Sequence, residues 1–390
     1  MLVESDVIVV GAGIAGSGVA TELASDRRVT LLEQESHPGI HATGRSAALH
    51  SEIYGNPCIR QLTKASRDFF LEGADGMVFA TPRGCVHIAT EAQRARLEDF
   101  EAQTGVGPAV ERIDARELHR LVPVLRPDVA VAALAERHAY DLDVDAIQRH
   151  FLGRLRRHGG SVYCDTPALE ITFAAGKWTI TTPDRAFRAP VLVNAAGPWG
   201  DVVAARAQVR AIGLEPKRRT AALIDPPQGV NPVGWPAVID IDERFYFKPE
   251  AGKILVSPAD ETPSEPCDAY PEDLDVAIAV DRVQQVADIL ATRVSHRWAG
   301  LRTFTADRTP AVGYDAEAPG FFWLVGQGGY GIQTSPALSR LAAALVRKGP
   351  APDDLLALGV NVSDLSPTRF NSEAPGAQAG SISGQTTASR

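Results

Sequence analysis

The stretch SDVIVVGAGIAGSGVATELASDRRVTLLEQ, Ser5 to Gln34, carries the reading of the fold. Four apolar β-formers, Val7 to Val10, lead into Gly11, Gly13 and Gly16 at G-x-G-x-x-G spacing; a run of small residues then leads to a second apolar strand, Val29 to Leu32, closed by Glu33. Each glycine has a mechanical use. The first allows the tight strand-to-helix turn, the second leaves no side chain between backbone and a pyrophosphate, and the third lets the helix pack close on the strand. Free N–H groups and the dipole at the helix start attract phosphate, and an acid about twenty residues beyond the turn accepts ribose hydroxyls. A glycine turn alone would suit an ordinary loop, but strand, turn, helix and acid together predict a βαβ unit that binds a dinucleotide.

With 390 residues the chain exceeds one typical domain, and two are expected. The formal charge of −9 is spread along the chain without a basic cluster, which argues against nucleic acid or an anionic membrane as partner. Cys58, Cys85, Cys164 and Cys267 lie far apart, at neither C-x-x-C nor zinc-ligand spacing, so no metal is expected and a reducing cytoplasm is the natural compartment. Glu4 and Asp6 precede the first apolar run where a leader would be basic, and no apolar run approaches the ~20 residues that span a bilayer. A cytoplasmic protein without a membrane-spanning segment follows, as a monomer or small homo-oligomer.

Outward from the opening unit, HPGIHATGRSAALHSEIYG, His37 to Gly55, is too polar and glycine-rich for a core element and reads as a functional loop. Arg45 and Ser46 are available for cofactor phosphates, and Ala47 and Ala48 are small enough for a flat ring to approach; a surface loop with a solvated arginine is the plainer alternative. A helix is predicted from Cys58 to Phe70, and a strand over 80–89 with Cys85 and His87 on one face and Val86 and Ile88 on the other. Further helices are expected over Gln93–Gln103 and over Ala115–Leu121, the second capped by Asp114. A third, with Ile147, Phe151 and Leu155 at i, i+4, i+8, stops at Gly159 and Gly160. A hairpin over 168–182 precedes the apolar strand Val191 to Val193, which ends in the small residues Ala195, Ala196 and Gly197. Two such turns suggest a cofactor lying across the carboxyl edge of one parallel sheet.

From Lys217 to Arg297 the pieces TAALID, PAVIDID, RFYFKP and KILVSP read as antiparallel hairpins, interrupted by a helix over Asp273–Thr292. The stretches 298–315 and 321–346 read as a return to the first domain. The expected fold class is therefore α/β: a Rossmann-like, parallel-sheet domain from segments 1–80, 141–216 and 298–365, and a mainly antiparallel β-sheet domain with helices from 81–140 and 217–297. Residues 371–390, rich in Ser, Gly, Ala and Thr, are expected to form a disordered tail.

GAGIAG, HATGRSAALHSEIYG, VNAAGPW, PKRRTAALI, RFYFKPEAG, WAGLR and GQGGYGIQT follow one another over about residues 5–370. In this order the chain resembles the FAD-dependent D-amino acid oxidase superfamily, and within it the bacterial D-arginine dehydrogenase group. The resemblance implies FAD. Its adenosine half would lie on Gly11, Gly13, Ile14, Ala15, Gly16, Glu33 and Gln34, with adenine at Ala168. The flavin would lie near Ala42, Thr43, Gly44, Arg45, Ser46, Ala47, Ala48 and Leu49, by Ala196, Gly197 and Trp199, under the backbone of Gln327, Gly328, Gly329, Tyr330, Gly331, Ile332 and Gln333. Related sarcosine- and proline-type enzymes often attach flavin through a cysteine after the WAGLR-like motif. Residues 303–325 contain none, so the FAD is expected to be non-covalent.

By the same matching, Arg302 is the main clamp for a substrate carboxylate, with Tyr246 beside it, Arg219 nearby and Tyr54 as a lid. A guanidinium fork binds carboxylate bidentately and a phenol adds a directional donor; singly, each would serve equally well in a salt bridge or a core. Tyr330 and His87 join the expected pocket, His87 as a wall residue or base, although a lone strand histidine is commonly structural. Two departures fall at the substrate end: Cys85 stands where the D-arginine enzymes have an acid, and Leu49 where they have a histidine. An unpaired cation there would be desolvated, so a neutral or apolar side chain is expected. The implied reaction is oxidation of the CH–NH bond of a D-amino acid by hydride transfer from the α-carbon to flavin N5, with the amine deprotonated near the Gly328 carbonyl. The imino acid product would hydrolyse to a 2-oxo acid and ammonia. Alternatives are an N-methyl or cyclic amino acid substrate, a flavin-binding or electron-transfer module without amine chemistry, and an NADPH-dependent monooxygenase, which shares mainly the first motif. The electron acceptor, oxygen, quinone or other, is open.

Overall fold

A computed structural model describes residues 1–104 and 110–370. Val7–Val10 occupies the middle of a six-stranded sheet, between Val29–Leu32 and Val191–Asn194, both parallel to it. Ser161–Tyr163 extends the sheet beyond Val29–Leu32, and Phe321–Val325 beyond Val191–Asn194; Ala311–Tyr314 closes the second side as the one antiparallel strand. The inner strands are almost wholly apolar, with Thr30 and Asn194 as buried exceptions, because both faces are covered. Helices Ile14–Leu23 and Gly331–Val346 pack on one face through Val19, Leu23, Leu338 and Leu341, joined by Leu152 and Leu155 of helix Val144–Arg157. On the other face Ile8, Leu192, Phe321 and Trp323 meet Ile171, Trp178, Ile180 and Phe187 of a four-stranded sheet. Connections leave Val7–Val10 toward opposite edges, so a crevice opens at the carboxyl ends of this strand and Val191–Asn194.

A nine-stranded sheet forms the second layer, with Glu215–Ile224, Lys253–Ser257, Tyr246–Glu250, Ala237–Asp240, Cys85–Ala89, Ala132–Glu136 and Val110–Asp114 adjacent in that order. All of these neighbours run antiparallel except Ala237–Asp240 and Cys85–Ala89. Val86, Ile88, Val238, Phe247 and Val256 form its core with Val276, Ala279 and Val283 of helix Asp273–Val286.

Three expectations change. Residues 80–89 are two strands in two sheets: Ala80–Pro82 pairs with Tyr140–Leu142, and a left-handed Gly84 (φ 71°) passes the chain to Cys85–Ala89. The helix expected to reach Thr292 stops at Val286, because Ala287 turns extended, bridges to Leu125, and is followed by Asp288 donating its N–H to the Val124 carbonyl at 2.7 Å. The stretch 298–304, assigned above to the first domain, belongs to the strand Val294–Phe304 and is hydrogen-bonded along Glu215–Ile224 in the second sheet. No helix among the described residues is long and apolar enough to cross a membrane, no cluster of potential ligands is placed for a metal, and all four cysteines are free. The expectation for 371–390 lies outside the described residues.

Candidate active site

The glycine turn forms as its spacing requires. Gly11 donates its N–H to the Leu32 carbonyl at 2.8 Å and has φ 99°; a Cβ there would lie 2.5 Å from the Ala195 carbonyl oxygen. A Cβ on Gly16 would lie 1.8 Å from the Gly11 carbonyl oxygen, so the helix contacts the turn with no space between. Gln148 secures the turn from outside, donating to the Ala12 carbonyl at 2.7 Å and to Ser17 Oγ at 2.8 Å. Glu33 is buried, and its carboxylate accepts the N–H groups of Ala12 and Glu35 at 2.9 and 3.1 Å. Burial raises its pKa, and the two N–H donors oppose the rise.

From this turn a cleft of about 1500 Å³, part of it open to solvent, runs between the parallel sheet and the nine-stranded sheet. Gly11, Gly13, Ile14, Ala15, Glu33, Gln34 and Ala168 line it, joined by Thr166 and Arg206, which sequence reasoning did not single out. Arg206 donates to the Ala168 carbonyl at 2.7 Å. Ala42, Thr43, Ser46, Ala47, Ala196, Gly197 and Trp199 line the cleft too, with Gln327, Gly328, Gly329, Gly331 and Ile332; a Cβ on Gly331 would lie 3.8 Å from Ile14 Cγ2. Thr43 Oγ1 accepts the Ile14 N–H at 3.0 Å, tying the loop to the first helix. The N-termini of two helices, Ile14–Leu23 and Gly331–Val346, thus meet the same cleft, where their dipoles favour negative charge.

Several expected contacts are placed otherwise. Gly16 and Gly44 are packing positions outside the cleft lining, Gly44 against the Gly39 carbonyl. Ala48, Leu49 and Gln333 line an adjoining chamber. Arg45 borders the cleft, but its guanidinium is taken by Asp268, the Ala269 and Ala299 carbonyls at 2.9 and 3.0 Å, and the Ile40 carbonyl. It braces the loop against the second sheet, and phosphate would have to displace these partners.

The adjoining chamber, about 790 Å³ including its open mouth, shares Arg219, Tyr246, Arg302, Gly329 and Ile332 with the cleft. Arg302 pairs in register with Lys217 and Arg219 with Gly300, so the two arginines fall on one sheet face, one diagonal step apart. Gly329 passes directly over Arg302; a Cβ there would lie 2.8 Å from Nη1. Arg302 Nη1 reaches Tyr54 Oη at 3.5 Å, and it has no carboxylate partner among the described residues. Arg219, buried, donates to the Asp260 carbonyl at 2.7 Å and meets Glu261 only at 3.4 Å, while Glu261 is already forked by Arg308 at 2.7 and 3.0 Å. Burial and then the neighbouring Arg302 push the Arg219 pKa down, as expected for like charges sharing a desolvated site.

Leu49, Ala237, Ile239 and Phe245 wall the chamber, with Lys248 neutralised by Asp141 and Glu250, each at 2.8 Å, and Glu243 also in the lining. Apart from Leu49 these residues were missed, since nothing in the strands RFYFKP and PAVIDID marks which face meets the chamber. Cys85 and His87 are corrections: neither reaches either lining. Cys85 lies behind the wall with Ala139 and Ala237, its thiol pKa raised by burial and then by Glu136. His87 lies against Phe100 at 4.9 Å between centroids, and burial lowers its pKa to about 4, so it is a neutral core residue. Tyr330 is outside the lining too; it packs edge-on against Tyr54 at 4.9 Å, over Ile59 and Phe304.

A dinucleotide cradle opening into a chamber that holds Arg219 and Arg302 has the architecture of a flavin- or nicotinamide-dependent redox protein. The chain belongs to the DAO family of FAD dependent oxidoreductases, whose pattern matches residues 6–345. Its cofactor is FAD, and the long cleft with its buried Glu33 and close glycine turn suits that group. More particularly, it is similar to glycine oxidase of Bacillus licheniformis, 24% identical over 365 residues that cover 88% of this chain and 94% of that protein. Among solved structures, glycine oxidase from Geobacillus kaustophilus superposes with a TM-score of 0.81 at 21% identity, over 94% of this chain and 99% of that one. L-Proline dehydrogenase from P. horikoshii superposes with a TM-score of 0.81 at 20% identity, over 95% and 99%.

Proposed function

We propose that the protein oxidises the CH–NH bond of an amino acid, preferably of the D series and with a neutral or apolar side chain. The observation that carries this reading is the pair of Arg302, which has no carboxylate partner among the described residues, and buried Arg219, which meets Glu261 only at 3.4 Å, at the junction of cleft and chamber. A substrate carboxylate there gains charge-assisted bonds from a fixed fork. Tyr246 and Tyr54 border the same point and supply hydroxyl donors. The Gly328 carbonyl accepts an N–H of the neutral amine and so orients its lone pair toward the bond that loses hydride. FAD, when bound, supplies the hydride acceptor. The contribution of these residues is to hold the α-carbon at near-attack distance, about 3 to 3.5 Å. No side-chain base is needed when the amine binds neutral, in keeping with His87 lying outside the chamber. The apolar wall of Leu49, Ala237, Ile239 and Phe245 supports the side-chain preference, and likeness of the motifs to the D-amino acid oxidases supports the D series. Glycine oxidase, by its name, acts on an amino acid without a side chain, which suits a compact chamber. Four free cysteines are in keeping with a cytoplasmic protein.

The decisive test is anaerobic bleaching of the flavin by a panel of D-, L- and N-methyl amino acids, followed by Arg302→Ala. The D-amino acids with apolar side chains are expected to bleach it fastest. The variant is expected to lose about 10²- to 10³-fold in kcat/KM, or roughly 3 to 4 kcal/mol of transition-state binding. Undiminished turnover of every carboxylated amine would remove the clamp from the mechanism; bleaching by N-methyl or cyclic amino acids alone would move the substrate class.

A further inference from the structure

Glu136 closes the strand Ala132–Glu136 and is 1% exposed. It is one of the most deeply buried carboxylates in the protein, yet its oxygens are engaged by a loop rather than by a cation. Oε2 accepts the Ser51 hydroxyl at 2.6 Å and Oε1 accepts the Glu52 N–H at 2.7 Å. Ser51 lines the chamber, and its own N–H donates to Gln333 Oε1 at 3.2 Å, whose amide donates in turn to Thr63 at 3.0 Å. Tyr54 follows in the same segment, its ring on Tyr330 and its hydroxyl at Arg302. Beyond it Asn56 caps the helix Pro57–Glu72 through the Ile59 N–H at 3.0 Å and ties to Thr309 Oγ1 at 2.9 Å. Residues 51–56 are therefore held at both ends, and the bonds at the leading end come largely from one buried carboxylate. An apolar side chain in its place would leave the Ser51 and Glu52 donors unmatched in a buried site.

We propose that Glu136 is a positioning residue for the substrate carboxylate: by holding Ser51 and Glu52 it fixes Tyr54 against Arg302, and so sets the affinity of the site for a carboxylate without touching the ligand. The proposal rests on Arg302 and Tyr54 being the carboxylate site. Its agent is a charge-assisted pair of bonds, shorter and stronger than neutral ones, so removing the charge while keeping the shape loosens the loop.

The experiment uses the holoenzyme at pH 8.5 with benzoate as probe, its binding followed by calorimetry, together with amide hydrogen exchange. Glu136→Gln is expected to weaken benzoate about fivefold and to speed exchange over residues 51–54 by roughly tenfold, with exchange in Val7–Val10 unchanged. Tyr54→Phe is expected to weaken benzoate as well, and the double variant to be no weaker than the weaker single one, because both changes act through one contact. Unchanged benzoate affinity in Glu136→Gln, or independent effects that multiply in the double variant, would overturn the proposal. If Glu136→Gln does not fold, Ser51→Ala removes the same hydroxyl bond and is read by the same criteria. Arg302→Ala binding benzoate like the native enzyme would overturn the clamp reading and with it the ligand half of the proposal, while the exchange rates still decide the anchoring.

Discussion

Cys85 shows how much a single position depends on what stands across from it. In the register of the second sheet it lies directly opposite Glu136, and directly opposed residues of an antiparallel pair share a face. Both side chains are buried behind the chamber wall. Cys85→Glu, which the sequence comparison would suggest as a route to cationic substrates, therefore places a second carboxylate beside the first with no cation between them. Expected is a stability loss of about 3 kcal/mol or more, read as a fall in thermal midpoint, with no gain on D-arginine. A gain on D-arginine at native stability would show that this position does face the substrate. Arg302 illustrates the opposite case: its type and motif were legible in the sequence, but its lack of a carboxylate partner among the described residues was not, because that is a property of everything packed around it.

At the scale of elements, the loop over 51–56 and the strand ending in Glu136 are coupled through ionisation. Burial raises the Glu136 carboxyl from 4.5 to about 7, with the Ser51 and Glu52 donors opposing the shift. An acid whose folded value lies above its unfolded value costs the folded state increasingly as pH rises from 4.5 toward 7, since the unfolded chain releases the proton first; above about 7 the cost is constant. Glu136→Gln carries no such cost. The stability of Glu136→Gln relative to native is thus expected to grow by about 3 kcal/mol between pH 4.5 and pH 7 and then level off, measured by urea unfolding of both proteins. A difference independent of pH would mean that this carboxyl does not titrate in that window. The helices of the first domain were legible from periodicity because their apolar stripes are local, as with Ile147, Phe151 and Leu155 of Val144–Arg157. The division of 80–89 between two sheets was not, because a turn at Gly84 leaves the apolar pattern unbroken.

For the molecule as a whole, the cofactor cleft lies between two layers that contribute different parts: the parallel sheet its turn and helix N-termini, the nine-stranded sheet Arg219, Arg302 and Tyr246. No cysteine lines it among the described residues, and its one imidazole, His41, is engaged through Nε2 by Glu35 at 2.8 Å. The flavin is accordingly expected to remain in the supernatant when the protein is precipitated with acid. Colour in the washed pellet would show a covalent bond and direct attention to His41. Gly11→Ala should act across the same cleft: with φ 99° and a Cβ 2.5 Å from the Ala195 carbonyl oxygen, it is expected to shift the neighbouring strand end and lower the flavin content of the purified protein. Full flavin occupancy would show that the turn tolerates the displacement.

By itself the sequence determined the βαβ unit, the glycine turn, the acid at Glu33 and the arginine in WAGLR, because each is written in residues a few positions apart, where turn chemistry and periodicity act. Only the tertiary structure decided which sheet carries Arg302, that Arg219 shares its face, that Cys85 and His87 turn away from the chamber, and that Glu136 holds the loop of Tyr54. Those outcomes depend on strand pairs brought together from distant parts of the chain. In such pairs a shift of one residue sends every side chain to the opposite face.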